Sequence, residues 1–91
     1  MGLEAFYFND THKFDEGGDY FQRFGKDYEL DDFMIYLGMW GDTLELTEAM
    51  LPSFRVFLNT SASQPELYED MYEHMKQSFS EGKKCYYVAY R

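Results

Sequence analysis

Alternating hydrophobic and polar positions predict strands at both ends of the chain. Leu3 to Phe8 and Cys85 to Tyr90 are rich in aromatic residues, and each places successive side chains on opposite faces. A shorter alternation over residues 43–47 predicts a third strand. We expect the two terminal strands to lie side by side in a small antiparallel sheet, with residues 43–47 as a further strand.

Two segments in the second half have the features of helices. Pro65 to Glu81 is the clearest, because Ser63 can cap it and Gly82 can close it. Glu48 to Asn59 is the other, with Pro52 in its first turn, where a missing N–H is tolerated. The buried stripe of the longer helix is predicted to consist of Leu67, Met71, Met75 (or His74) and Phe79.

The middle of the first half can be interpreted in two ways. Residues 33–37 are five consecutive apolar residues, so periodicity does not separate helix from strand. We favour a helix over Leu30 to Trp40, because Met and Leu are good helix formers and because Asp31 and Asp32 suit a helix N-terminus. A strand that turns at Trp40 into residues 43–47 is the alternative.

The segment before this helix is predicted to contain a loop and a short helix. Asn9 to Gly18 is polar and ends in a Gly pair, which is typical of a loop. Asp19 to Phe24 is predicted to be a short helix, with Asp19 near its N-cap and Gly25 at its end. Together these elements predict an α+β fold, in which about three helices pack on the sheet and residues 1–91 form a single domain.

Composition narrows the class of protein. Aromatic residues make up 21% of the chain, more than so small a core can enclose, so some Tyr side chains should lie at the surface. Cys85 is the single cysteine, which excludes an intramolecular disulfide and favours a reducing compartment such as the cytoplasm. We expect no membrane association, because no apolar run reaches the length that a bilayer requires.

Charge is distributed unevenly along the chain. The formal net charge is −9, and residues 1–50 hold twelve acidic against three basic residues, whereas residues 51–91 hold five of each. An acidic surface on one part of the molecule would repel nucleic acid and attract basic protein surfaces. We therefore expect a basic protein as the partner and no direct binding of nucleic acid.

Two groups of carboxylates stand out as candidate binding residues. The first lies in the acid-rich segment 15–48 and includes the motif KDYELDDF at residues 26–33. The second forms a stripe on the long helix at positions i, i+3, i+4 and i+7. The acidic residues predicted to bind a partner are Asp15, Glu16, Asp19, Asp27, Glu29, Asp31, Asp32, Glu66, Glu69, Asp70 and Glu73.

Each carboxylate group also has a structural explanation. Acids at the start of a helix cap it or interact with its dipole, and a helical acidic stripe is often a solvated face. A calcium loop is a weaker alternative, because Asp32 and Gly38 stand where Gly and Glu would be required. Tyr68 and Tyr72, one turn apart beside the acidic stripe, are predicted to be exposed anchors for a partner.

No pattern in the chain indicates catalysis or a cofactor. A nucleophilic site would need Cys85 near His12 or His74, but alternation within the terminal strand favours a buried cysteine. The two histidines and one cysteine lack the spacing of a zinc site, and the Gly17–Gly18 pair is not part of a phosphate-binding motif. We expect a protein that is not an enzyme and carries neither cofactor nor metal.

The acid-rich segment 15–48 and the stripe Glu66–Glu73 resemble the charge layout of small DNA-mimic inhibitors from bacteriophages, of the antirestriction and anti-CRISPR types. The resemblance covers composition and charge over most of the chain. It implies a non-enzymatic inhibitor whose carboxylates stand in for DNA phosphates in the cleft of a host nuclease or DNA-binding protein. It also implies action in the host cytoplasm, and several such inhibitors are dimers, so a homodimer stays open.

A second function remains open beside this one. The chain is also consistent with a protein–protein adaptor or regulator that binds through an exposed Tyr-rich surface, with its acidity serving solubility.

Overall fold

Four antiparallel strands form one layer of the fold, and three α-helices pack against one face of that layer. The computed structural model describes residues 2–11 and 20–91. The strands are β1 (Glu4–Asn9), β2 (Gln22–Gly25), β3 (Thr43–Leu46) and β4 (Cys85–Tyr90), and the helices are α1 (Tyr28–Leu37), α2 (Leu51–Thr60) and α3 (Glu69–Ser80). The order in the sheet is β2-β1-β4-β3, so the predicted α+β fold with adjacent terminal strands is confirmed.

On the helix-facing side, the pairing of β1 with β4 places small residues opposite small ones and aromatic residues opposite aromatic ones. Ala5 lies opposite Ala89, and Tyr7 opposite Tyr87, and all four are buried. β3 extends this surface, since Leu44 pairs with Tyr87. The small alanine side chains beside the large rings leave room for the helices to approach the sheet closely. One layer of helices can therefore cover it.

The segment predicted to be a short helix before Gly25 is a strand instead. β2 pairs with β1, and the backbone N–H of Phe21 donates to the carbonyl oxygen of Tyr7 over 2.9 Å. A helix of so few residues is costly to nucleate, whereas the free edge of β1 offers backbone partners at once. Asp19, its predicted cap, and most of the predicted loop lie outside the described residues.

The ambiguous apolar run in the first half is a helix, as favoured. α1 begins at its N-cap, Asp27, whose carboxylate accepts a hydrogen bond from the N–H of Leu30 at 3.0 Å. It ends at Gly38, whose φ of 118° suits a residue without a side chain. Leu30 and Met34 lie four residues apart and are completely buried, so one face of α1 belongs to the core.

The two predicted helices of the second half are both present, and each begins with a short 3₁₀ turn. The 3₁₀ turn Glu48–Met50 leads into α2, and Pro52 lies in the first turn of α2 as predicted. The 3₁₀ turn Pro65–Leu67 precedes α3, and Gly82 follows it with a φ of 74°.

Two details of the longer helix were predicted wrongly. Ser63 does not cap it, because its N–H and hydroxyl both donate to Glu29. Leu67 is 46% exposed, whereas Tyr68 is only 2% exposed. A 3₁₀ turn advances by three residues per turn and an α-helix by 3.6, so the switch between them rotates Leu67 outward and Tyr68 inward.

The core lies between the helices and the sheet. Met71 and Met75 of α3, Phe54 of α2 and Met34 of α1 are completely buried against the inward-facing strand residues. Within residues 2–11 and 20–91, no helix combines the length and the apolar character needed to cross a membrane.

Candidate functional site

The acidic motif at the start of α1 is largely occupied by contacts within the protein. Asp27 caps α1 with one carboxylate oxygen and accepts from the hydroxyl of Tyr68 with the other, at 2.6 Å. Glu29 accepts hydrogen bonds from the backbone N–H of Ser63 at 3.0 Å and from its hydroxyl. These two carboxylates therefore join the first turn of α1 to the segment that leads into α3.

Asp31 was expected to point outward, and this expectation is wrong. Its carboxylate is 4% exposed and receives a hydrogen bond from the hydroxyl of Tyr87 at 2.9 Å and a salt bridge from Arg91, also at 2.9 Å. Burial, followed by the bond to Asp31, raises the pKa of Tyr87 well above its ordinary value. Asp31 thus binds the last residue of the chain to α1 and is not available to a partner.

The predicted tyrosine anchors are not a free surface. Tyr68 is buried, with its ring beside Phe24 and Phe57, and burial raises the pKa of its hydroxyl. Tyr72 is half-buried, and the guanidinium of Arg55 lies 4.2 Å from its ring centroid. Lys76 also approaches the Tyr72 ring, at 5.6 Å. The site predicted on these two tyrosines is therefore covered from within the protein.

The acidic stripe of α3 is partly neutralised. Glu69 forms a two-bond salt bridge with Arg55, with distances of 3.0 and 3.1 Å, and this bond holds the pKa of Glu69 below its ordinary value. Glu73 lies 4.0 Å from Lys76. Glu66 and Asp70 are exposed, and in the part of the chain that the structure describes neither forms a salt bridge.

Three of the predicted binding residues, Asp15, Glu16 and Asp19, lie outside the described residues. Among those that are described, Asp32 joins Glu66 and Asp70 as exposed and without a salt bridge to another described residue. The same holds for four acids that were not among the predicted binding residues: Asp10, which accepts a hydrogen bond from the backbone N–H of Lys84, and Asp42, Glu45 and Glu48 near β3.

Most of the basic side chains in the described part of the chain form salt bridges within the protein. Of the seven Lys and Arg residues in the described part of the chain, five form salt bridges, namely Arg23, Arg55, Lys76, Lys83 and Arg91. Each of these pairs joins a base to an acid that is not among the seven exposed carboxylates above. The surface charge is therefore carried by carboxylates in separate places rather than by one regular row.

A groove between α1 and α2 was not predicted from the sequence. It has a volume of about 570 Å³. Its floor contains Phe33 and Phe57, whose rings stack with centroids 4.3 Å apart. The residues that line it are Glu29, Asp32, Phe33, Tyr36, Pro52, Ser53, Val56, Phe57 and Ser61.

Helical spacing gave a signal for this groove. Glu29, Asp32, Phe33 and Tyr36 recur at i, i+3, i+4 and i+7, so they form a second face of α1 beside the buried one. Two of the large apolar side chains on this side of the molecule are strongly exposed, since Tyr36 is 79% and Val56 is 60% accessible. An exposed Tyr and Val beside two carboxylates form a surface with both apolar and acidic character.

Comparison with known protein families, curated proteins and solved structures found no match for this chain. Its function is therefore argued from its own residues.

A buried polar cluster contains the two residues considered for nucleophilic chemistry. The hydroxyl of Tyr7 lies 2.7 Å from Nδ1 of His74 and 3.4 Å from the sulfur of Cys85. Cys85 is completely buried, and burial raises the pKa of its thiol, which disfavours the reactive thiolate. His74 also stacks on Phe21, with ring centroids 3.8 Å apart. His12 lies outside the described residues.

This cluster joins α3 to the sheet. Asn9 donates to the hydroxyl of Ser78 at 2.7 Å, and Ser78 in turn donates to the backbone carbonyl of His74. Such a chain of bonds satisfies polar groups within the core. Across residues 2–11 and 20–91, no three His, Cys, Asp or Glu side chains are grouped so that they could hold a metal ion.

Proposed function

We propose that the protein is a non-enzymatic acidic binding protein that associates with a basic surface on a partner protein. The observation that carries the proposal is the separation of its charges: five of seven described bases are held in salt bridges, while seven exposed carboxylates have no such partner among the described residues. Exposed charges of one sign steer a partner of the opposite sign toward the surface and select its orientation.

The DNA-binding cleft of a nuclease or of another DNA-binding protein is the target class that we favour. Such clefts are lined with Lys and Arg side chains that contact phosphates. In this proposal Asp32, Glu66 and Asp70 stand in for phosphates, and the protein inhibits by occupying the cleft in a reducing compartment such as the cytoplasm. Asp27, Asp31 and Glu69 take no part, because their carboxylates are bound within the fold.

The test is capture from a lysate on the immobilised protein, followed by elution with a salt gradient. The α1–α3 triple variant carries Asp32→Asn, Glu66→Gln and Asp70→Asn, and the β3 triple variant carries Asp42→Asn, Glu45→Gln and Glu48→Gln. Each takes the formal net charge from −9 to −6, so the two differ only in where the charge is lost.

We expect basic, DNA-binding proteins to elute from the wild-type protein as salt rises, because salt screens exposed charges. The α1–α3 triple should release them at lower salt than the β3 triple. Retention that is insensitive to salt and identical for all three proteins would contradict the proposal.

A second candidate function, adaptor or regulator, is favoured by one specific observation. Tyr28, Tyr36 and Trp40 are 58%, 79% and 76% exposed, so an aromatic surface does exist, but it lies on and after α1 rather than on Tyr68 and Tyr72. Binding through this surface alone would be insensitive to salt and would be lost on Tyr36→Ala. The salt gradient therefore separates the two functions.

A further inference from the structure

The groove between α1 and α2 has two walls of helical residues and an apolar floor. α1 contributes Phe33 and Tyr36, and α2 contributes Val56 and Phe57. Because each helix has ten residues, the walls are about 15 Å long. A groove of this length matches about three turns of a docked helix, and apolar side chains at i, i+3 and i+7 make contact within that length.

The charged residues that line the groove are all acidic. Glu29 and Asp32 are the charged residues among those that line it, and none of the lining residues in the described part of the chain is Lys or Arg. A ligand that carries a carboxylate or a phosphate would be repelled here. A ligand with positive charges beside an apolar group would match both features of the groove.

We propose that this groove binds a basic amphipathic segment of the partner protein, with a large apolar side chain on Phe33 and Phe57 and with Lys or Arg beside Glu29 and Asp32. The inference rests on the proposed function and adds to it the position of the contact and the chemistry of the segment. Tyr36 closes over the apolar side chain from the α1 wall, and Val56 contacts it from the α2 wall.

A second copy of this chain fits the groove less well than a basic partner does. Its formal charge of −9 repels another copy, and five of its seven described bases are already in salt bridges. A ligand of the groove needs exposed Lys or Arg side chains to pair with Glu29 and Asp32, and this chain has few that are not already in salt bridges.

The probe is a synthetic amphipathic peptide of about 14 residues built from Leu and Lys, long enough for roughly four helical turns. Two comparison peptides are a Leu and Glu version with reversed charge and an oligolysine of the same charge without Leu. Backbone amide shifts in NMR spectra of the labelled, full-length protein report where each peptide binds, and the titration gives its affinity.

We expect the Leu and Lys peptide to shift the amide signals of Phe33, Tyr36 and Val56. The Leu and Glu peptide should not bind. Oligolysine should bind at least about tenfold more weakly than the Leu and Lys peptide, which corresponds to about 1.4 kcal/mol.

The variants that test the groove change side chains that are exposed, so their effect on folding should be small. Tyr36→Ala removes one wall, and Val56→Trp fills the groove. Ile35→Ala is the matched control for loss of an exposed apolar side chain on α1, because Ile35 is 50% exposed and does not line the groove. We expect each groove variant to weaken the Leu and Lys peptide about tenfold or more and the control to leave it unchanged.

Charge at the rim is tested in the same way. Asp32→Lys should weaken the Leu and Lys peptide about tenfold or more, whereas Glu48→Lys, the same change at an exposed acid that does not line the groove, should have a smaller effect. Thermal melts of all variants show whether each one is folded.

Several results would overturn the inference. One is binding of the Leu and Lys peptide with equal affinity to wild type, Tyr36→Ala and Val56→Trp. Another is the absence of any peptide binding. A third is a wild-type dimer in solution that Tyr36→Ala converts to a monomer, which would assign the groove to a second copy.

The inference and the proposed function can fail separately. If basic proteins elute from the wild-type protein with salt but bind Tyr36→Ala equally well, the groove is not the contact and the proposed function stands. If no salt-dependent partner is captured but the peptide binds in the groove, the proposed function is wrong. The inference that the groove binds a basic amphipathic segment is then still supported.

Discussion

Asp31 has a structural role that follows from its burial. The carboxylate lies between α1 and β4, where it meets the hydroxyl of Tyr87 and the guanidinium of Arg91. Burying a carboxylate is costly unless its oxygens are hydrogen-bonded or paired, so these two partners offset the cost of burying Asp31.

Removing the guanidinium should therefore be costly. Arg91→Ala leaves Asp31 at 4% exposure with only the Tyr87 hydroxyl as a partner, and we expect a loss of about 2–3 kcal/mol in the free energy of unfolding. Chemical denaturation measures it. The control is Arg23→Ala, which removes an exposed pair with Glu4 and should lower the free energy of unfolding much less, because water screens that pair. Equal losses for the two variants would show that burial of Asp31 does not matter.

Tyr68 is a further residue whose role depends on burial. Its hydroxyl donates to Asp27 at 2.6 Å, so Tyr68→Phe removes one hydrogen bond to a charged group and leaves the ring in place. We expect a loss of about 1.5–3 kcal/mol in the free energy of unfolding, with partner binding unchanged at temperatures where the variant is folded. Partner binding lost in a folded Tyr68→Phe protein would instead restore Tyr68 as a contact residue.

The burial of Asp31 and Tyr68 was not predictable from local sequence. Arg91 is 60 residues from Asp31, and Tyr68 is 41 residues from Asp27, so the partners that bury these groups are brought by the tertiary fold. A cluster such as DYELDD gives the same local signal whether its acids point outward or inward. Only the phase of α1, with Leu30 and Met34 inward, places Asp31 at the buried edge.

At the scale of elements, the sequence was informative where a pattern was long or repeated. Alternation predicts the two terminal strands and helical spacing predicts α3, and all three elements are present in the structure. β2 could not be predicted in this way, because four residues carry little periodicity and its pairing with β1 is a tertiary contact. Helical spacing marks the α1 side of the groove, but the groove itself depends on how α1 and α2 lie beside each other, which the spacing does not predict.

The N-cap of α1 links an element boundary to the core. Asp27→Ala removes both the bond to the Leu30 N–H and the bond to Tyr68, so we expect a loss of at least about 1–2 kcal/mol in the free energy of unfolding. Asp32→Ala, an exposed acid on the same helix, should change it by less than about 0.5 kcal/mol. Denaturant titration of both variants tests this, and equal effects would mean that the cap contributes nothing.

At the scale of the whole molecule, three buried tyrosines set the alkaline limit of stability. Burial first, and then hydrogen bonding, raises the pKa values of Tyr7, Tyr68 and Tyr87 above the ordinary value of 10.0. Because the folded state holds these protons more tightly than the unfolded state, their contribution to stability is complete below pH 10 and is lost as pH rises further.

We therefore expect the free energy of unfolding to fall steeply above about pH 10, by up to about 1.4 kcal/mol per pH unit for each tyrosine that ionises on unfolding. Denaturation at a series of pH values measures the slope, and Tyr68→Phe should make it shallower. A free energy of unfolding that is constant from about pH 9 to pH 12 would contradict the assignment.

The sequence gives the excess of acidic residues in the molecule but not the salt bridges that they form in the fold. It correctly showed an excess of acids, but it did not show that salt bridges occupy most of the bases and several of the predicted binding acids. The seven exposed carboxylates without such a partner among the described residues lie on different parts of the fold, so recognition of a basic surface depends on their arrangement in three dimensions.

The most direct test of this function is competition with DNA for the captured partner. A labelled DNA duplex is bound to that partner, and its fluorescence anisotropy is followed as the protein is added. We predict that the wild-type protein displaces the duplex, that added salt weakens the displacement, and that the α1–α3 triple is about tenfold or more weaker. A complex in which the partner holds the protein and the duplex at the same time would contradict the account.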